Sequence, residues 1–227
     1  MTRAAASTVI AFTQPTSKAA YDYWNALRNG QPLPRRREID PAQLRALLPH
    51  ITLLERVSAE QIHFRLAGTA VCQAFGRELR DHSLLSLWDA AHRDLIASAL
   101  SASLNKASPL LLRFHGHALG RAPLPGEWLM LPLLDDRGAA TRILASFASA
   151  RDKFGAKAFT RLALLGAETI VPNRDRVEFT LTAPAPRPAL TVVPTRGRRE
   201  TIEALPSSTM SWPWAGLLRE FLGGKES

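Results

Sequence analysis

A chain of 227 residues is long enough for one sizeable core, or for one domain with extensions. Apolar residues make up 46% and charged residues 22%, an ordinary globular balance, and the single cysteine, Cys72, excludes an internal disulfide framework and fits a reducing compartment. The net charge is +9 and 24 of the 29 basic residues are arginine, which suits contacts to carboxylate or phosphate. Yet the charge is spread, with clusters only at Arg35–Arg37 and Arg196–Arg199, and no helix-turn-helix, zinc-finger or aromatic-basic strand pattern accompanies it. A basic nucleic-acid-binding adaptor is therefore the second reading, behind solvated faces and acidic protein partners.

Residues 1–17, rich in Ala, Ser and Thr, read as a disordered N-terminus with no signal peptide. No window approaches the ~18 continuous apolar residues of a membrane span. The expected location is cytoplasmic. From Lys18 to Asn29 the apolar residues Ala20, Tyr23 and Leu27 recur at helical spacing beside Trp24, and Gly30 supplies the stop. Pro32 and Pro34 force an extended connector. IDPAQLRALLPH then predicts a second helix, with Asp40 as N-cap, Pro41 at the first position and Pro49 at the end.

ITLLERV (51–57) and IHFRLA (62–67) read as a hairpin in which Ile62, Phe64 and Leu66 share one face. Gly68 breaks the pairing, a short helix runs from Ala70 to Phe75, and Gly76 stops it. AHRDLIASALSASLNKAS (91–108) predicts a long helix whose small residues allow close approach to a sheet. Three strands follow at 110–119, 126–135 and 141–150. RLALLGAETIVP (161–172) reads as a strand or a short helix. Seven of the 16 prolines fall between 172 and 213, so 151–227 is read as a Pro-rich extension. It ends in a short amphipathic segment carrying Trp214, Leu217, Leu218, Phe221 and Leu222, of the kind that docks on a partner or on its own domain.

Two hairpin strands, a helical crossover and three antiparallel strands predict an α+β domain over 18–150. It is a five-stranded antiparallel sheet of order 2-1-5-4-3, with helices on one face and a cavity beneath the long helix. In detail, YDYWNALRNGQPLPRRREIDPAQLRALLPHITLLE, then FRLAGTAVCQAFGREL, then LW, resemble the single-domain PAS family common in alphaproteobacteria, over roughly residues 20–150. The pieces that carry the resemblance are Trp24, Arg36 to Pro41, Leu48-Pro49, Arg65 to Thr69 and Phe75-Gly76. One departure is visible: Arg80-Asp81 stands where the family pattern has Thr-Gly. The resemblance implies a sensory or regulatory domain, not an enzyme, that works through small-molecule sensing and protein contacts. Homodimerisation is expected through the helix at 18–29. A ligand-free scaffold with a filled core is a further alternative.

Periodicity nominates a ligand pocket lined by Leu66, Leu112, Phe114 and Ile143 from the strands and by Trp88, His92 and Ile96 from the helical side. Arg65 and Arg113 interrupt apolar strands. On the inner face they would need an anionic partner, such as a ligand carboxylate or phosphate; the plainer reading turns both toward solvent. His115 and His117 project from one side of a strand, but no acid or cysteine nearby completes a metal site. In some PAS proteins a histidine on the long helix holds haem, which would place His92 in that role, and in photosensory ones a cysteine forms a flavin adduct. Neither haem nor flavin has a specific signature here. Cys72 lacks the Asn-Cys-Arg-Phe-Leu flank and reads as a small core residue. No Walker loop, G-x-S-x-G elbow or H-E-x-x-H occurs, and Asp135-Asp136 fit a turn, so no catalytic residue is assigned.

Overall fold

The computed structural model describes residues 8–58, 61–150, 158–172 and 176–182. In chain order its elements are β1 (Thr8–Val9), α1 (Pro15–Leu27), β2 (Ile51–Arg56), β3 (Ile62–Ala67), α2 (Thr69–Phe75), α3 (Arg93–Asn105), β4 (Leu110–Ala118), β5 (Leu124–Leu134), β6 (Ala140–Ser149), β7 (Phe159–Val171) and β8 (Arg176–Thr182). Short 3-10 turns punctuate them at Arg36–Glu38, Leu48–His50, Leu84–Leu87 and Ala90–His92. The strands form one antiparallel sheet of order β1-β8-β7-β4-β5-β6-β2-β3. The five strands expected from alternation are β2 to β6, and they lie side by side in the expected order, with α3 crossing from β3 to β4.

The sheet does not end at residue 150. β7 pairs with β4 along Leu110–Ala118, and β8 pairs with β7, so the described fold reaches Thr182. Proline density set the expected boundary too early. The prolines begin at Pro172, after β7, whose Leu162, Leu164 and Ala167 join the main core. The remaining Pro-rich stretch and the amphipathic segment around Trp214 lie outside the described residues. The fold also starts earlier than expected. α1 begins at Pro15, a favoured residue at the first helical position, and Ser17 is fully buried. The expected helix at 40–48 is instead a run of turns, with bonds such as Gln43 N–H to the Asp40 carbonyl and Leu47 N–H to that of Leu44. Caught between Pro41 and Pro49, the segment is too short to offset helix nucleation, and of its leucines only Leu44 is buried.

Both faces of the sheet are covered. On the inner face Leu54, Phe64, Leu112, Phe114, Trp128, Met130, Ile143 and Phe147 merge with α2, the 84–87 turn and α3 into one apolar core. The crossover helices lie here, as expected, but the expectation of helices on one face alone does not hold, because α1 covers the opposite face. The intervening residues Leu129, Leu131, Leu133 and Leu144 are also buried but belong to the other face, where α1 packs on β5 and β6. Trp24 of α1 is fully buried there, and its Nε1–H donates to the Pro132 carbonyl at 2.9 Å. β4 has already left the ladder at that level, since its last pair is Leu110 with Met130, so Pro132 interrupts no pairing on that side. The Arg28 guanidinium lies 5.6 Å from the Trp24 ring centroid.

Two pieces of the family resemblance meet in space. A side chain at Gly68 would stand 2.3 Å from the Pro49 carbonyl oxygen, so only glycine lets the start of α2 lie against the Leu48–His50 turn. Where Arg80-Asp81 departs from the family pattern, Asp81 adopts φ +63, a left-handed conformation that aspartate tolerates better than most residues. Its amide donates to the Phe64 carbonyl, and the Phe64 amide to His82, which covers the outer edge of β3.

Candidate functional site

The residues expected to line a pocket divide into two groups. Trp88, Ile96, Leu112, Phe114 and Ile143 all enter the inner core, each 1% exposed or less. Trp88 and His92 do not share a helical face with Ile96, because α3 begins at Arg93 and the chain is extended at Trp88, with φ −103 and ψ 151. Trp88 bridges to Leu162 instead, and the next amide, Asp89 N–H, donates to the Leu162 carbonyl at 2.9 Å. That stretch covers part of β7 and drives the indole inward.

Leu66 does not join the inner core. Leu54 pairs with Phe64 but Leu53 pairs with Leu66, so a bulge at Arg65 turns Leu66 to the face that Leu53 occupies. The residue on the inner face beyond the bulge is Ala67. Arg65 and Arg113 are not inner-face anion contacts either. Arg65 is solvent-facing and pairs with Glu55 and, at 2.8 Å, with Asp81. Arg113 lies on the outer face, where Nε donates to Glu168 at 2.8 Å and Nη1 to Glu127 at 3.3 Å. Protein carboxylates already occupy both arginines.

What fills the inner face is aromatic. Trp128 stacks on Trp88 with centroids 6.3 Å apart, lies 5.9 Å from Phe64 and meets Phe147 edge-on at 4.9 Å. Phe114 stacks on Phe147 at 5.3 Å, and Phe75 of α2 packs on Trp128, Phe147 and Phe159. Phe64, Phe75, Phe147 and Trp128 were not in the nominated lining. The signal for three of them was the alternation that picked out Phe114. Phe75 needed knowledge of where its helix docks.

The outer face carries a second arrangement that periodicity did not single out. Glu127 is fully buried, next to Trp128 in sequence and on the opposite side of the strand. Its Oε1 accepts the Gln14 amide at 2.9 Å, and its Oε2 accepts the Thr13 hydroxyl at 2.8 Å and the Thr13 amide at 3.2 Å. Gln14 is the N-cap of α1, so a carboxylate from the sheet satisfies the free amide there and sits at the positive end of the helix. Arg113 completes the clamp, its Nη2 donating to the Ala11 carbonyl at 2.6 Å. A lone acid inside the apolar run GEWLMLPLL was the available sequence signal.

The chain's residues 12–148 match the family model described as PAS domain. The chain belongs to the PAS domain family. It is also similar to a solved structure described as that of an RNA-binding light-oxygen-voltage receptor, at 17% identity and a TM-score of 0.37, over 49% of this chain and 33% of that one. The PAS chain thus spans about a third of that relative's length. Among curated proteins, nothing matches.

Neither of the two side chains that the resemblance raised, His92 and Cys72, is set up to bond a cofactor. His92 is 5% exposed, and its Nδ1 accepts the Leu164 amide proton at 3.3 Å, at the bulge where β7 slips against β4. With Nδ1 accepting, the neutral ring carries its proton on Nε2, which leaves no lone pair for iron. Cys72 is buried in α2, and burial together with nearby Glu78 pushes its thiol up to about 11. The protonated thiol donates to Ala67 and Glu78 and is no nucleophile at neutral pH. His115 and His117 share the side of β4 that bears Arg113; burial and then Arg161 hold His117 below its ordinary value. Among the described residues no three His, Cys, Asp or Glu side chains gather to hold a metal. None of the described helices is long and apolar enough to cross a membrane.

Proposed function

We propose that this PAS domain is a sensory or regulatory module, without catalytic activity of its own, that reads a small molecule in its inner core and reports through protein contacts. One observation carries the reading. Trp128, at the centre of the inner rings, and Glu127, which holds α1, are consecutive on β5 and face opposite ways. A shift of β5 that re-seats Trp128 must also move the carboxylate under Gln14 and Thr13. The helix on the outer face is thereby coupled to the state of the inner face, which is the mechanical requirement for a sensor.

The reading places the protein in the cytoplasm with a protein partner and a second copy of itself. The surface for self-association is not the Trp24 stripe, which is buried against the chain's own sheet. Sedimentation at high micromolar concentration tests the dimer. The nucleic-acid reading draws no added support from Arg65 and Arg113, which carboxylates occupy.

Hydrogen exchange on the full chain tests the coupling. In Trp128→Leu the amides of residues 15–27 should exchange faster while the β5–β6 amides stay protected. If α1 is unaffected by changes on the inner face, the sensor reading falls.

A further inference from the structure

The connector after α1 closes the end of the sheet where β5 turns into β6. The Leu134 amide donates to the Pro34 carbonyl at 3.0 Å, and Arg35 bridges to Leu134. Between this connector, the ends of α1 and α3 and the β5–β6 turn lies a cleft of about 750 Å³, a volume typical of small-molecule sites. It is separate from the inner core. Of the buried inner cluster only Leu104 lines it, and no aromatic ring does.

The walls of the cleft are held from behind. Arg28 is 4% exposed and donates from Nε to the Asn25 side chain and from Nη1 to the Gln31 carbonyl, both at 2.8 Å. Arg56 donates to the Asn105 side-chain oxygen and to the Ala140 carbonyl, each at 3.3 Å, which ties the end of α3 to the start of β6. Asn29 and Ala107 both line the cleft with left-handed backbone, at φ +44 and +53. Asparagine tolerates that conformation, but alanine is strained in it, and strained backbone of this kind gathers at functional sites.

The chemistry of the ligand follows from one uncommitted cation. Arg35 lines the cleft half-buried, with its backbone pinned to β5 and its amide donating to the Glu38 carboxylate at 2.7 Å. Among the described residues, no carboxylate or other acceptor meets its guanidinium. Arg65, Arg113 and Arg142, by contrast, each meet a carboxylate. In the neighbouring turn, Asp135 accepts the Arg137 and Ala139 amides and the Thr141 hydroxyl, and Asp136 does not line the cleft.

A guanidinium presents forked donors that match a carboxylate. A single uncommitted cation balances one negative charge, which favours a monocarboxylate over a doubly charged phosphate. Leu27, Leu33, Leu104 and Leu134, with Pro32 and Pro34, supply an apolar surface beside it for a hydrocarbon body.

We propose that this cleft binds an amphipathic monocarboxylate, its carboxylate on Arg35 and its hydrocarbon against the leucines between α1 and α3. Such a ligand would touch the ends of α1, α3 and β5 at once. The site goes beyond the sensor reading and does not depend on it.

Octanoate and 1-octanol are the probes, since they share a chain and differ in the carboxylate. In amide NMR titrations of the full chain, octanoate should bind at least about five-fold tighter than 1-octanol, the scale of one hydrogen-bonded charge. Its shift changes should gather on residues 27–38, 104–107 and 134–140. Arg35→Gln should weaken octanoate by about the same factor and leave 1-octanol unchanged, and Arg35→Lys should recover part of the loss. Because the guanidinium has no partner among the described residues, the urea midpoint of Arg35→Gln should match wild type. If that variant fails to fold, the wild-type ratio and shift map still decide. Equal affinities, no binding at millimolar octanoate, or shift changes centred elsewhere, the core around Trp128 included, overturn the proposal. So does undiminished octanoate binding in a folded Arg35→Gln. None of these outcomes bears on the exchange of α1 in Trp128→Leu, so failure here is distinguishable from failure of the sensor reading.

Discussion

Glu127 and Trp128 sit one residue apart, both fully buried, and their surroundings differ in kind. Around Trp128 the neighbours are rings and aliphatic chains, held by contacts that depend weakly on angle. Around Glu127 every named contact is a directed hydrogen bond, from Thr13, Gln14 and Arg113. The inner face can adjust by degrees, whereas the outer clamp is satisfied or broken. A sheet built this way can turn a graded change of packing into a discrete change of helix attachment.

The comparison breaks first at Trp128. Trp128→Ala removes the ring that touches Trp88, Phe64, Phe75 and Phe147, and should cost about 3–5 kcal/mol, read as a global shift of the urea midpoint. A loss below about 1 kcal/mol would mean that the rings are not the inner face's main support.

Glu127→Ala should cost about 3 kcal/mol, because it leaves the Arg113 guanidinium and the N-terminal amides of α1 without their buried acceptor. Its signature is local. Exchange protection should vanish over residues 15–27 before it falls in β4 and β5. Glu127→Gln keeps an acceptor oxygen and should lie between wild type and Ala. If helix and sheet lose protection together in Glu127→Ala, the two faces are one cooperative unit and the comparison fails.

Gly68→Ala tests the join between α2 and the Leu48–His50 turn. A methyl there would stand 2.3 Å from the Pro49 carbonyl oxygen, so the backbone must move, at about 1–3 kcal/mol. Because α2 carries Phe75, the loss should appear as loosened aromatic signals in near-ultraviolet circular dichroism. Unchanged signals would mean that α2 can back away without disturbing the rings.

The order of β2 to β6 was legible because each strand is a mainly apolar run bounded by turn residues or a helix. β7 is apolar through its middle as well, but it was assigned to an extension whose prolines in fact begin only at its end. Leu66 was misplaced because counting by two does not register a bulge, and one extra residue at Arg65 turns the next side chain to the other face. Trp88 and His92 reached the interior for a different reason from the one that nominated them. Their backbone is extended and turned, and β7 holds it. The destination of α1 was not legible at all. An apolar stripe says that a helix is covered, not by what, and Trp24 found its own sheet before any second copy. Glu127 left a trace, an acid among leucines, but its partners at the start of α1, Thr13 and Gln14, lie more than a hundred residues away in sequence.

The smallest expected effect is a pH dependence at the rim of the outer face. Burial alone would raise the Glu55 carboxyl, but hydrogen bonds from Arg142, at 2.5 Å, and from Arg65 outweigh it and hold the group below its ordinary value of 4.5. The folded state therefore favours the ionised form. The resulting stability is fully present above pH 4.5 and is lost as pH falls through the lower folded value. Arg65 is largely solvent-facing, so screening limits the contribution to about 1 kcal/mol or less. The Asp135 carboxyl is also held down, by the Thr141 hydroxyl and the Ala139 and Arg137 amides, so the wild-type slope alone would not isolate Glu55. Glu55→Gln supplies the control. Its deficit against wild type, from urea midpoints, should be largest near neutral pH and should narrow as both proteins are taken from pH 5 to pH 3. A deficit that stays constant over that range would show that the two arginines do not hold Glu55 down, and that the rim contributes packing rather than charge.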